Sequence, residues 1–112
     1  MGCFPKDSQI TIPGGKKAIQ DIRVGDQILR PEGSKEFAET TVRDIFESEE
    51  DLIRLVTTHS DILTTADQLF RCHDGKDRKT HDLMAQLVGY LLDDKELVYI
   101  RVMAIISTGI RE

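Results

Sequence analysis

Cys3 is the first residue of the chain whose side chain could bond covalently to a carbonyl carbon. It is followed at once by "FPKDSQITIPGGKKAIQDIRVGDQIL", in which short apolar segments alternate with turn-forming residues. A thiolate is a strong nucleophile, but a free thiol ordinarily has a pKa of about 8.5 and needs an activating neighbour at neutral pH. Four interpretations are open for Cys3: an unreactive side chain, a lipid attachment point, a metal ligand or a nucleophile.

A second thiol, Cys72, stands beside His73 and could belong to a zinc site. Structural zinc sites use paired ligands, as in C-x-x-C or H-x-x-x-H, and neither spacing supports one here. We therefore predict a buried thiol beside a turn histidine, with no metal and no other cofactor. A disulfide between Cys3 and Cys72 stays open, although two thiols do not make a disulfide scaffold.

Lipidation is the alternative chemistry for the start of the chain. Met1-Gly2-Cys3 could carry myristate and palmitate together, but the myristoylation pattern calls for Ser or Thr at the sixth position, where Lys6 stands. A two-chain anchor would also fit poorly on a strand that enters the core almost immediately. A lipid-anchored adaptor is kept as the third functional hypothesis.

The composition indicates one globular domain. Of 112 residues, 39% are hydrophobic and 31% charged, so a hydrophobic core is feasible. A net charge of −5 argues against nucleic acid as a partner, because phosphate recognition needs clustered Lys and Arg. Without an apolar run of membrane-spanning length, a signal peptide or many cysteines, we predict a cytoplasmic protein with no membrane partner. The acidic run Glu47–Asp51 is interpreted as a solvated loop.

Turn-forming residues divide the chain into short segments rich in Ile, Val, Leu and Thr. In "QITI", Ile10 and Ile12 alternate with polar residues, which is the period of a half-buried strand. The β-branched run "ELVYIRVMAII" (Glu96–Ile106) predicts a core strand. Breaks are predicted at residues 13–15, 31–34, 49–51, 73–76 and 93–95.

Helical signal is confined to "THDLMAQLVGYLL". There Leu83, Leu87 and Leu91 recur at four-residue steps, a spacing that could hold a helical turn or two. Many short strands with so few helical candidates predict an all-β fold.

Three segments follow one another in an order that resembles the Hint superfamily, which comprises inteins, bacterial intein-like domains and the autoprocessing domain of hedgehog proteins. They are the opening stretch from Cys3 with its "IQDIRVGDQIL" bend, then "ILTTADQLF", then "HDLMAQLVGYLL". The resemblance covers nearly the whole chain from Cys3. It implies a compact, horseshoe-like all-β fold with at most one or two short helical turns.

The resemblance also implies a chemistry. In the family, the leading cysteine attacks the carbonyl just before it and turns an amide into a thioester, which here would be the Gly2–Cys3 bond. This N–S acyl shift requires sulfur near the carbonyl, loss of amide resonance, a proton for the departing nitrogen and donors for the oxyanion. It acts once on the chain's own backbone, as in protein splicing or N-terminal cleavage, and is not enzyme turnover.

The family's second motif meets several of these requirements with a Thr followed by Asp and His. Thr65 and Asp67 stand at the matching positions, but the histidine position holds Gln68. A Gln amide cannot give up a proton at neutral pH, whereas a general acid typically contributes about 10²–10⁴-fold. We therefore expect a slow or stalled acyl shift unless another acid substitutes, and the only imidazoles in the sequence are His59, His73 and His81. The predicted site consists of Cys3, Thr65, Asp67 and Gln68.

The end of the chain departs from the family as well. The family closes with strands that carry a penultimate histidine and a terminal asparagine, and this sequence contains no Asn. We expect residues 1–2 to be an N-terminal flank and residues 3–112 a Hint-like domain whose C-terminal strands are missing. Its expected partners are flanking segments in cis and, for a split domain, a C-terminal intein fragment in trans at an open strand edge. A catalytically impaired Hint-fold binding module is thus the second hypothesis.

Overall fold

A computed structural model describes residues 2–32 and 36–111 and confirms the predicted all-β fold with few helical turns. These residues form ten strands and two single-turn 3₁₀ helices, at Ile19–Asp21 and Thr80–Asp82. No helix among them is long and apolar enough to cross a membrane. The strands are β1 (Gln9–Ile12), β2 (Gly15–Ala18), β3 (Gln27–Glu32), β4 (Glu36–Thr41), β5 (Asp51–Thr57), β6 (Asp61–Thr64), β7 (Leu69–Arg71), β8 (Asp77–Lys79), β9 (Leu87–Leu91) and β10 (Leu97–Arg111).

The largest sheet has four antiparallel strands in the order β6-β5-β10-β9. β10 holds it together, because residues 97–101 pair with β9 and residues 102–111 pair with β5. The core strand predicted at Glu96–Ile106 is therefore confirmed, and it continues to Arg111. The remaining strands form the hairpins β1-β2, β3-β4 and β7-β8.

The hydrophobic core lies where β5, β9 and β10 meet. Side chains alternate across a strand, so along β10 Ile100 and Val102 are buried whereas Arg101 and Met103 are exposed. The cluster consists of Leu55, Cys72, Leu83, Val88 and Val102, with Ile62, Phe70 and Ile105 packed against it.

The helical turn predicted in "THDLMAQLVGYLL" forms only at its start. A 3₁₀ turn covers Thr80–Asp82, but the second half of the segment is strand β9. Residues four apart share a face in a strand as well as in a helix, so the spacing of Leu87 and Leu91 does not distinguish the two. Pairing with β10 decides the conformation.

Two predictions near the first strands need smaller corrections. β1 forms at Gln9–Ile12 as predicted, but its buried residue is Thr11, while Ile10 and Ile12 are half-buried. The break predicted at 31–34 is displaced, because Pro31 and Glu32 belong to β3; residues 33 and 34 lie outside the described residues.

Candidate active site

The β5-β6 hairpin brings two distant stretches of sequence to one end of the sheet. The strands are antiparallel with Ile53 opposite Thr64, so the residues before β5 and after β6 meet there. Those residues are Ser48–Glu50 on one side and Thr65 on the other. The segment that starts the chain crosses the same end, which places Cys3 between them.

The backbone of Cys3 is held on both sides of its Cα. Its N–H donates to the Thr65 hydroxyl (2.8 Å), and its carbonyl accepts from the Thr65 N–H (3.1 Å). The Thr64 hydroxyl donates to the same carbonyl at 3.2 Å, and the Thr65 hydroxyl lies 3.4 Å from it. Two buried threonines therefore fix the main chain of Cys3.

Gln68 lies against Gly2. A Cβ built on Gly2 would be 2.6 Å from the Gln68 Cα and 2.9 Å from its Oε1, so the main chains touch. The Nε2 of Gln68 donates to the Leu69 carbonyl at 3.0 Å, which turns this end of the amide away from Gly2. The structure thus brings Gln68 to the Gly2–Cys3 peptide through its backbone and its oxygen.

Asp67 has a different position. Its carboxylate lies 3.7 Å from the ammonium of Lys79 on β8, and about half of its side chain is exposed. Of the four predicted site residues, the structure therefore brings Cys3, Thr65 and Gln68 together around Gly2, whereas Asp67 reaches toward the surface.

Thr80 supports the site from beneath. It is fully buried, and its hydroxyl donates to the Thr65 carbonyl at 2.7 Å and lies 3.5 Å from the Gln68 carbonyl. These contacts fix the main chain between Thr65 and Gln68. The sequence analysis did not single out Thr80, because nothing local marks a threonine as the partner of a carbonyl fifteen residues away.

The thiol of Cys3 faces two residues that the sequence analysis assigned to a solvated loop. Its Sγ lies 3.1 Å from the Ser48 hydroxyl, which in turn donates to Oε2 of Glu50 at 2.6 Å. The Glu47–Asp51 run is largely exposed as predicted, yet Ser48 and Glu50 connect the thiol to a carboxylate. A Ser-x-Glu spacing just before a strand that pairs with "DILT" was the available signal.

A cavity of about 490 Å³ opens beside Cys3. Its wall is mainly apolar, with Lys6 and Arg23 as cationic members. The apolar lining is Phe4, Pro5, Ile19, Ile22, Ile45, Phe46 and Leu52. Gln20, Glu47, Ser48 and Thr65 complete the polar part of the wall.

The second thiol sits in a different environment. Cys72 is 1% exposed and unbridged, so the disulfide with Cys3 that the sequence left open does not form. The His73 ring packs edge-on against Tyr99, with centroids 4.7 Å apart. Within residues 2–32 and 36–111, no group of three or more His, Cys, Asp or Glu side chains could hold a metal ion.

Carboxylates with clearly shifted pKa values lie in turns away from this corner. The Arg78 guanidinium and the Lys76 backbone N–H hold the pKa of Asp74 well below its usual range. The backbone N–H of Arg23 and the Lys17 ammonium lower the pKa of Asp26. Both carboxylates thereby stabilise the turns that contain them.

Compared with known proteins, the chain matches no family model, no curated sequence and no solved structure. The function is therefore inferred from the geometry around Cys3 together with the resemblance of its motifs.

Proposed function

We propose that the chain is an autoprocessing domain that rearranges its own Gly2–Cys3 peptide bond by an intein-like N–S acyl shift. The observation that carries the proposal is the anchoring of Cys3: the nitrogen that would depart is bonded to the Thr65 hydroxyl, and the thiol projects to a separate polar contact.

The chemistry of this step balances. The Cys3 sulfur forms a bond to the Gly2 carbonyl carbon, the carbon–nitrogen bond breaks, and the thiol proton is matched by one gained at the Cys3 nitrogen. The Thr65 hydroxyl oxygen accepts the Cys3 N–H at 2.8 Å and lies 3.4 Å from the Cys3 carbonyl oxygen. A rotation of this hydroxyl lets it donate a hydrogen bond to the departing nitrogen, and the proton that the nitrogen gains comes from solvent, because a hydroxyl is itself too weak an acid to give one up at neutral pH.

Gln68 accounts for the slow rate that we expect. Its amide cannot supply a proton, and its Nε2 is engaged with the Leu69 carbonyl. Gln68 therefore contacts Gly2 and can position the peptide, but it cannot protonate it.

The test is release of an upstream reporter. A reporter joined ahead of Gly2 is incubated with dithiothreitol or hydroxylamine, which cleave thioesters but leave peptide bonds intact. We expect release with a C-terminal hydroxamate on Gly2 when hydroxylamine is used, identified by its mass. Absence of release from the folded fusion over days would overturn the proposal.

A second candidate function is capture of a strand from another chain. Among the described residues, no strand pairs with β10 beyond Arg101 on the β9 side, so the edge from residue 104 to 111 offers unpaired backbone groups. Met103, Ile106 and Ile110 on this strand are large apolar side chains that are about half exposed. These features suit a C-terminal intein fragment that adds a strand.

Titration with a synthetic peptide of the closing strands of an intein, ending in His-Asn, tests strand capture. Saturable binding that Ile106→Lys and Ile110→Lys both abolish supports it. Binding unaffected by either substitution would reject this edge as the docking surface.

A further inference from the structure

Cys3, Ser48 and Glu50 form a continuous hydrogen-bonded chain, which we call the thiol relay. The Ser48 hydroxyl has a single proton, and it lies on the bond to Glu50 (2.6 Å). Its oxygen can then only accept at its 3.1 Å contact with Cys3, so the thiol is the donor there. The relay therefore runs in one direction, from thiol through hydroxyl to carboxylate.

This direction is what a nucleophilic thiol needs. A thiol must lose its proton as it attacks a carbonyl, and a carboxylate reached through a hydroxyl can accept that proton during the step. When Ser48 passes its proton to Glu50 and takes the one from Cys3, the hydroxyl is restored and the carboxylate becomes a carboxylic acid. The carboxylic acid then returns a proton to solvent.

The sheet holds the relay in place. Glu50 directly precedes β5, whose first residue, Asp51, pairs with Arg111 at the end of β10. Arg111 also contacts Glu49, through its carbonyl (3.1 Å) and its carboxylate (3.7 Å), and Asp51 at 3.4 Å. The neighbours of Glu50 in sequence are thus fastened to the sheet, which leaves the Glu50 side chain directed at Ser48.

The charges around the relay come from several elements. Glu47, Glu49 and Asp51 flank it in sequence, Arg111 approaches from β10, and Lys6 and Arg23 line the adjoining cavity. Positive and negative groups are both present, so no single external charge dominates the environment of Glu50.

We propose that Ser48 and Glu50 remove the proton of the Cys3 thiol during the acyl shift, with Ser48 as the group that touches the reacting sulfur and Glu50 acting through it. This inference rests on the proposed autoprocessing function. Thr65 would hydrogen-bond the departing nitrogen on the other side of the same peptide, so the thiol and the nitrogen contact separate hydroxyls.

The experiment is a pH profile of hydroxylamine-trapped thioester formation in the reporter fusion, for the unaltered chain and for Ser48→Ala and Glu50→Gln. Without a base, the rate follows the thiolate fraction and rises about tenfold per pH unit below the ordinary thiol pKa. With the relay, the rate of the unaltered chain changes little between about pH 6 and 8, where carboxylates are ordinarily ionised. We expect both variants to be slower by about tenfold or more at neutral pH and to approach the unaltered rate near pH 9.

Two variants serve as controls. Glu47→Gln removes a charge of the same sign from the same stretch and should keep the shallow profile. Ser48→Thr retains a hydroxyl and should recover part of the rate that Ser48→Ala loses at neutral pH. If the unaltered fusion releases no reporter, both the autoprocessing function and the relay are rejected. Release from the unaltered fusion with equal rates in both relay variants at every pH overturns the relay alone. So does a loss that is the same at neutral and alkaline pH, because that indicates a structural role only.

Discussion

Cys3 and Cys72 are the same residue in opposite surroundings. Cys72 is buried among Leu55, Leu83 and Val88, with its sulfur 3.9 Å from a backbone carbonyl, and it behaves as a small core side chain. Cys3 is partly exposed, and hydroxyls lie on its thiol side and on its backbone side. Reactivity depends on access and on proton-transfer partners, and only Cys3 has both.

The residues next to each cysteine in sequence do not indicate its chemistry. Cys72 stands beside a histidine, which looks chemically promising, but His73 turns its ring toward Tyr99. The hydroxyl groups that contact Cys3 come from residues about 45 and 62 positions away in sequence. Proximity along the chain was therefore the weaker guide to chemistry.

The different roles of the two cysteines can be tested by removing each thiol in turn. Cys3→Ala should abolish thiol-induced release of the upstream reporter while leaving the free energy of unfolding nearly unchanged. Cys72→Ala should preserve release but lower the free energy of unfolding by about 1–2 kcal/mol, because it opens a cavity in the core. Release assays and urea denaturation measure the two quantities, and release that survives in Cys3→Ala contradicts the assignment of the nucleophile.

The next largest effect is expected from Gln68→His. An imidazole beside Gly2 can donate a proton to the departing nitrogen, which an amide cannot do, so release should accelerate by about tenfold or more. Gln68→Asn, which keeps an amide, is the matched control and should show no acceleration. If histidine leaves the rate unchanged, Gln68 is not the cause of a slow acyl shift.

Thr80→Val tests whether the site around Cys3 depends on the buried hydrogen bond from Thr80 to the Thr65 carbonyl. The change leaves the Thr65 carbonyl without its 2.7 Å donor in a buried position, which costs about 1–3 kcal/mol of stability. Thr57→Val is the control, because its hydroxyl also donates to a carbonyl, but at the opposite end of the β5-β6 hairpin. Both variants should unfold more easily, and only Thr80→Val should also slow release. Equal release rates in the two would remove Thr80 from the site.

The smallest effect should come from Asp74→Asn, in the turn next to Cys72. Arg78 donates to both oxygens of Asp74 (3.0 and 2.6 Å), and this pairing lowers the pKa of the carboxylate. A lowered pKa in the folded state means that the contribution is complete above the unfolded value of about 3.9 and is lost as the pH falls below it. The unaltered chain should therefore melt slightly higher than Asp74→Asn at neutral pH. Thermal melts should show this difference shrinking toward pH 2, and release should be unaffected at neutral pH.

Local patterns were sufficient to predict the strands that carry their own signal. β1 and β10 were predicted because alternation and β-branched runs favour extended backbone in any context. β9 was misjudged because its leucine spacing satisfies a helix and a strand equally, and only pairing with β10 separates them. The conformation of such a segment is decided by its partner.

The residues of the candidate site also fall into those that local sequence predicts and those that depend on strand pairing. Cys3, Thr65 and Gln68 could be expected together from the order of their motifs, whereas Ser48 and Glu50 could not. Their contact with the thiol depends on the register of the β5-β6 hairpin, which fixes where the loop before β5 ends. Charged residues in a loop are usually solvated, and this run is largely exposed as predicted, so composition gave no sign that Ser48 and Glu50 also reach the thiol.

The contact between Gly2 and Gln68 restricts what can be grafted in front of Cys3. A methyl group at position 2 would lie 2.6 Å from a main-chain carbon, a separation that real side chains essentially never show. Because that carbon belongs to a stretch fixed by Thr80, it cannot easily give way. Under the proposed function, a cargo protein attached at this junction has to end in glycine, because alanine or anything bulkier would displace the Gly2–Cys3 peptide.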